Sequence, residues 1–306
     1  MSKKIVFMGT PKFSVETLKV LADSHYDIAC VYTQPAKKSL RGQKINESAV
    51  QKIARELKLN FRCPENLNNE EEYDYFKSLN PYIVVVVAYG KIIPKNYLNI
   101  PNKGFINIHA SLLPKWRGAA PIQRSIMSRD QYSGISIMKI KEDLDVGPFM
   151  KQIKVKIEEQ TTTKILSEKL SELGAKNILD CISTIENEKA SFIGQEHSKA
   201  TYAKKINKLE SQIVWKEKAE DILAKINALN PSPGSWFELN NVRYKIWKAE
   251  VCNDSGEPGK VIDKNLTVAC KEKSIKILEI QREGKNKLSI NDFLSGTNIA
   301  LGSKIS

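Results

Sequence analysis

The chain has 306 residues, room for two domains at about 150 residues each, and a core of that size needs no metal or disulfide staple. Its 48 Lys+Arg against 35 Asp+Glu leave a net charge of +13, an excess that attracts polyanions, nucleic acid before membrane. With 27% charged and 41% hydrophobic residues, and no apolar run longer than residues 82–89, disorder and a transmembrane span are excluded.

Residues 4–8 read as a short strand closed by Gly9-Thr10-Pro11, and a helix follows with Phe13, Thr17, Leu18 and Leu21 on one face. Residues 28–33 form a second strand. A polar loop over 34–47 leads to a helix carrying Val50, Ile53, Ala54 and Leu57, and a helix over 70–79 stops at Asn80-Pro81. Residues 82–88 are rich in β-branched side chains without polar alternation, the pattern of a parallel strand covered on both faces. Further strands fall at 105–109 and 134–140 with a helix over 119–127 between them, and helical periodicity runs over 165–185. Alternating strands and helices predict a doubly wound, mostly parallel α/β sheet, so ligands belong outside the carboxyl ends of its strands.

Residues 188–208 are polar and aperiodic and read as a linker between a domain over 1–187 and a second over 209–306. The second begins with a helix over 219–229. Short strands follow at 235–239, 242–249, 259–262, 266–269 and 274–280, a spacing that fits a small barrel or sandwich. Five scattered cysteines without a C-x-x-C pair suit reduced thiols in a cytoplasm and argue against a zinc site. The N-terminus lacks the pattern of a signal peptide. No glycine-rich dinucleotide fingerprint follows strand one, and no P-loop motif occurs.

The chemistry-bearing stretch is at the end of the strand over 105–109. With a two-residue period, Asn107 and His109 share one face. An amide donor beside an imidazole there suits stabilising an oxyanion and moving a proton. A strand-end histidine satisfied by a neighbouring carbonyl is the alternative. Asp145 lies on a loop where a carboxylate could orient that imidazole, although an aspartate two residues before a glycine is also a common turn residue. Lys37, Lys38, Arg41 and Lys44 sit on the loop after strand two, on the same rim. They could contact a phosphate backbone or form a solvated charged loop. The chain has 8 arginines against 40 lysines, so Arg41, Arg117 and Arg124 near this rim carry more information than another lysine.

The stretch NIHASLLPKWRGAAPIQ (residues 107–123) resembles the signature of the folate-dependent formyltransferases, and of their tRNA-acting branch in particular. GTPKF (9–13), VVAYG (86–90), YAKK (202–205), NPSPGSW (230–236) and WKA (247–249) extend the resemblance along most of the chain. The resemblance implies a Rossmann-like domain followed by a smaller OB-like β-barrel. It also implies transfer of the formyl group of 10-formyltetrahydrofolate to the α-amino group of initiator methionyl-tRNA. By motif position the catalytic set is Asn107, His109 and Asp145, and the folate borders Ser111, Leu112, Leu113 and Pro114 with Val87, Ala88, Tyr89 and Gly90. The loop holding Lys37, Lys38, Arg41 and Lys44 is similar to the family's tRNA-engaging insertion. The family's usual G-L-D-T-G-D is here Asp143-Leu144-Asp145-Val146-Gly147-Pro148. No metal is implied, a monomer and a cytoplasmic location are expected, and nothing points to a membrane. Two rival readings are a formyltransferase or hydrolase acting on a small molecule, and a non-catalytic RNA-binding protein.

Overall fold

The structure, a computed structural model, describes residues 3–38 and 45–305. Its first elements are β1 (Lys4–Gly9), α1 (Val15–Ala22), β2 (Asp27–Tyr32), the two-residue pair β3 (Lys37–Lys38) and β4 (Ile45–Asn46), and α2 (Ala49–Glu56). Next come β5 (Phe61–Arg62), α3 (Glu70–Ser78), β6 (Ile83–Val87), α4 (Lys95–Leu98), β7 (Phe105–His109), β8 (Arg117–Gly118) and α5 (Pro121–Met127). Then follow β9 (Tyr132–Lys139), β10 (Phe149–Lys156), the long α6 (Thr163–Glu186) and β11 (Tyr202–Ala203). The C-terminal part adds α7 (Ala219–Ala228), β12 (Ser235–Leu239), β13 (Val242–Cys252), β14 (Thr267–Ala269), β15 (Ser274–Arg282), β16 (Lys287–Ser289) and α8 (Ile290–Ser295).

Two compact units result. The first takes the chain up to Ala119, then Ser133–Val155 and Ser167–Ala203; the second takes Ala120–Tyr132, Lys156–Leu166 and the chain from Lys204.

The first unit is built on a seven-stranded sheet of order β10-β9-β7-β6-β1-β2-β5. β1, β2, β5, β6 and β7 run parallel, and β9 pairs antiparallel with β7. The chain leaves β1 for β2 and β5 on one side, then returns to β6 and β7 on the other. The loops after β1 and β6 therefore diverge and open a crevice at the carboxyl ends. The run over 83–87 is wholly buried because both faces of the central strands are covered. On one face Val6, Met8, Val84, Val86 and Phe105 pack with Phe76 and Tyr97 from α3 and α4. The opposite parity, including Ile5, Phe7, Val85 and Ile108, is equally buried. Gly174 of α6 allows that helix to lie against Ile108, since a Cβ there would stand 3.0 Å from its Cγ2. Each such aliphatic side chain contributes about 1.5–3 kcal/mol by burial. A buried carboxylate is admitted only with partners: Glu72 of α3 accepts from the Tyr32 hydroxyl (2.8 Å) and, in bidentate fashion, from Arg62, tying α3 to β2 and β5.

The second unit carries an antiparallel five-stranded sheet, β12-β13-β15-β14 with β16 beside β15. Register shifts around Lys248 bend the long β13, the usual way one strand is made to curl a small sheet. The core gathers Trp215, Ile222 and Ile226 with Phe237, Tyr244, Ile246, Ile277 and Phe293. The expected strand over 259–262 is reduced to isolated bridges, Val261 to Val268 and Lys260 to Lys304. Gly259 turns there with φ +86, and its amide and carbonyl are taken by Ala269 and Ile305.

Candidate active site

The switch point is stitched by short polar side chains. The Thr10 hydroxyl (2.8 Å) and the Gln34 amide (2.9 Å) both donate to the Tyr89 carbonyl, and the Ser14 hydroxyl donates to that of Val87. Those bonds hold the turn after β6 with Ala88 at φ +47 and Gly90 at φ +78. Val87 and Tyr89 are buried, so of the four residues of this turn among the eight expected to border the folate, only Ala88 and Gly90 face outward. Burial, with the Glu72 charge adding to it, pushes the Tyr89 phenol well up.

β7 delivers Asn107 and His109 to the same rim. Asn107 is half-buried and His109 is buried. The next residues form a turn pinned from β9 and β10. The Ser136 hydroxyl donates to the Ser111 carbonyl (2.7 Å) and accepts from the Leu113 amide (3.0 Å), and Gln152 donates to the Leu113 carbonyl (2.8 Å). Ser111 and Leu113 are buried in this turn, while Leu112 and Pro114 keep partial exposure, and the Leu113–Pro114 peptide is cis.

The His109 ring lies between two oxygens. Nε2 is 2.9 Å from the Trp116 carbonyl, which can only accept, so Nε2 carries a hydrogen. Nδ1 faces Asp145 Oδ2 at 3.6 Å, beyond hydrogen-bond length. The structure thus brings Asp145 to His109, and it also gives His109 the neighbouring carbonyl of the alternative reading. A neutral ring in this tautomer presents a bare Nδ1 to the carboxylate. Asp145 is held by the Gly118 amide (2.8 Å), and its φ is +53; Trp116, at φ +61, is left-handed too. Left-handed non-glycine residues store strain of about 1–3 kcal/mol and persist where surrounding bonds over-determine them.

The basic residues singled out near the rim differ in their setting. Arg117, one of the arginines singled out near the rim, is only 2% exposed and is bound by Gln195 Oε1. Arg124 is committed to Glu210 at 2.6 Å. Lys37 and Lys38 form β3 and pair with β4, which closes the base of the basic loop; Arg41 and Lys44 lie outside the described residues. Ser136, Gln152, Gln34 and Gln195 carry much of the site's hydrogen bonding, yet no motif in the sequence marks them.

A fold with parallel-sheet switch point, strand-end Asn and His, and a loop carboxylate defines the class. The chain matches the family model described as "Formyl transferase" over residues 3–182 and that described as "Formyl transferase, C-terminal domain" over residues 205–298. It is 53% identical to the methionyl-tRNA formyltransferase of Pelagibacter ubique across 100% of this chain and 99% of that one. The chain belongs to the formyl transferase family. Among solved structures, the methionyl-tRNA formyltransferase of Clostridium thermocellum shares the fold with TM-score 0.56 at 18% identity, over 83% of this chain and 95% of that one. An N-formyltransferase of Helicobacter canadensis, solved with folinic acid and dTDP-3-aminofucose, gives TM-score 0.68 at 18% identity over 90% and 99%. At such identities these likenesses establish fold and leave the acceptor to other arguments.

Proposed function

We propose that this protein transfers the formyl group of 10-formyltetrahydrofolate to the α-amino group of initiator methionyl-tRNA, in a cytoplasmic compartment. The observation that carries the reading is the end-to-end match to enzymes of that name, both domains included. The family models end at 182 and begin at 205, which supports a formyl-transfer domain over 1–187 joined through 188–208 to the domain over 209–306. The small-molecule and RNA-binding alternatives are not favoured. A non-catalytic module has no use for a buried imidazole facing a half-buried carboxylate, and relatives acting on sugars are matched at the level of fold alone.

The outward-facing Ala88 and Gly90 put nothing bulkier than a methyl group over the backbone of the crevice, which fits a flat ring at that wall. Ser111, Leu112, Leu113 and Pro114 form the wall we assign opposite it. The folate supplies an activated formyl group on nitrogen. Asn107 and His109 supply donors for the oxygen of the group under attack. Nε2–H, now given to the Trp116 carbonyl, is the donor that turns to this oxygen as the site fills, because such bonds tighten only with substrate bound. Asp145 stabilises the ring once Nδ1 is protonated and guides the proton lost by the amine toward the departing nitrogen. A new C–N amide bond forms and the old C–N bond breaks, with the amine proton ending on the leaving nitrogen. Lys37, Lys38, Arg41 and Lys44 meet the phosphates of the acceptor end. A formyl-transfer assay with charged initiator and elongator tRNA tests the reading: formylation of initiator methionyl-tRNA is expected, and incorporation into neither overturns it.

A further inference from the structure

Residues 195–203 belong to the first unit by their bonds, although the sequence there reads as linker. Gln195 is 8% exposed and uses its whole amide. Oε1 accepts from Arg117 Nε (3.0 Å) and Nη2 (2.7 Å), while Nε2 donates to the Asp145 and Gly147 carbonyls, both at 2.7 Å. Guanidinium groups only donate and carbonyls only accept, so the amide can stand one way round alone. A few residues on, the same stretch takes the other wall of the site. Trp116 N–H donates to Thr201 Oγ1 (2.9 Å), Arg117 N–H to the Thr201 carbonyl (2.9 Å) and Ala119 N–H to that of Ala203 (2.9 Å). One segment therefore fixes both the loop whose Trp116 carbonyl meets His109 and the loop that presents Asp145.

We infer that Gln195 is a positioning residue for formyl transfer: by clamping the carbonyls of Asp145 and Gly147 it sets where the Asp145 carboxylate stands against His109. The inference rests on the proposed roles of His109 and Asp145. The left-handed backbone of Asp145 needs such external bonds, and Gln195 supplies one to its carbonyl and a second to that of Gly147, beside its own pairing with a buried arginine.

The test is a double-mutant cycle on the full chain. Gln195→Met keeps the volume and removes every hydrogen bond. Gln195→Glu keeps the pairing with Arg117 but sets oxygen against two carbonyl oxygens, so it serves where the first variant folds poorly. Each is expected to lower kcat about 10- to 100-fold, the scale of a small misplacement of a reacting group. KM for methionyl-tRNA is expected to stay within about twofold, because the altered geometry bears on the reacting centre. In an Asp145→Asn background the same change should alter kcat by less than about twofold, as coupled residues do. Wild-type kcat in the Gln195 variants, or an equal fold loss in both backgrounds, overturns the inference. Failure of the underlying reading looks different: the unaltered chain does not formylate, or Asp145→Asn alone keeps full kcat.

Discussion

His109 sits between acceptors of different character, a carbonyl at 2.9 Å that fixes its tautomer and a carboxylate at 3.6 Å on the other ring nitrogen's side. On the proposed mechanism, replacing it removes a donor and the proton carrier together, so His109→Ala should keep the fold and lose about 10²–10³ in kcat, as Asn107→Ala should for its single proposed donor. Single-turnover formylation reads both. Gly147 is constrained by shape: a Cβ there would fall against the Lys139 carbonyl, backbone that has no flexible end to yield. Gly147→Ala should therefore destabilise by about 1–3 kcal/mol in urea unfolding. The strand-end Asn and His were visible because a two-residue period states which side chains share a face. That Asp145 meets His109 was not, since loop spacing carries no distance. Arg117 misleads for a related reason. An arginine between Trp116 and Gly118 in a loop carries no burial signal, whereas this one is buried on the neutral acceptor Gln195, whose own stretch has no periodicity to read.

At the scale of elements, the start of the C-terminal domain hangs on Glu210. Its carboxylate accepts from the Asn207 amide (2.8 Å) and from Arg124 Nη1 (2.6 Å) and Nη2 (3.1 Å), completing a capping box. The Arg124 hydrogen bonds hold its carboxyl below the usual carboxylate range against the opposing effect of burial. A depressed folded value contributes stability that is complete above the unfolded value of about 4.3 and is lost as pH falls through the folded one. Glu210→Gln should lower Tm at pH 7 by about 2–4 °C, for about 1 kcal/mol after solvent screening. That deficit should fade below about pH 4; a deficit constant from pH 7 to pH 3 would show that charge is not involved. The central elements were legible within a residue or two, because β6 is apolar without interruption and its neighbours β1 and β7 are largely apolar. β10 escaped notice. It is an edge strand whose Lys151, Lys154 and Lys156 blunt its apolar signal, as edges commonly require. The two-residue pairs β3/β4 and β8/β11 are made by tertiary hydrogen bonds and leave no local pattern.

Over the whole molecule the charge of +13 divides between both parts of the chain, +8 over residues 1–200 and +5 beyond. Many lysines are engaged with carboxylates, as Lys103 is with Glu188 and Lys225 with Glu217, and such pairs add nothing to the excess. Net charge therefore predicts attraction to a polyanion without saying where it lands. The proposed landing place is the basic stretch right after β2, a strand of the sheet whose carboxyl ends carry the proposed site; β3 and β4 pair on either side of it. Released counterions make the logarithm of affinity fall with that of salt, by about 0.7–0.9 for each phosphate contact. Changing Lys37, Lys38, Arg41 and Lys44 together to glutamine should flatten the salt dependence of tRNA binding by up to about 3 in slope, with folate affinity nearly unmoved. A control set of four lysines far from the site should weaken tRNA binding slightly and leave the slope close to that of the unaltered chain. Equal effects of the two sets would mean that the excess charge acts as a diffuse field, and that the loop after β2 holds no particular phosphate.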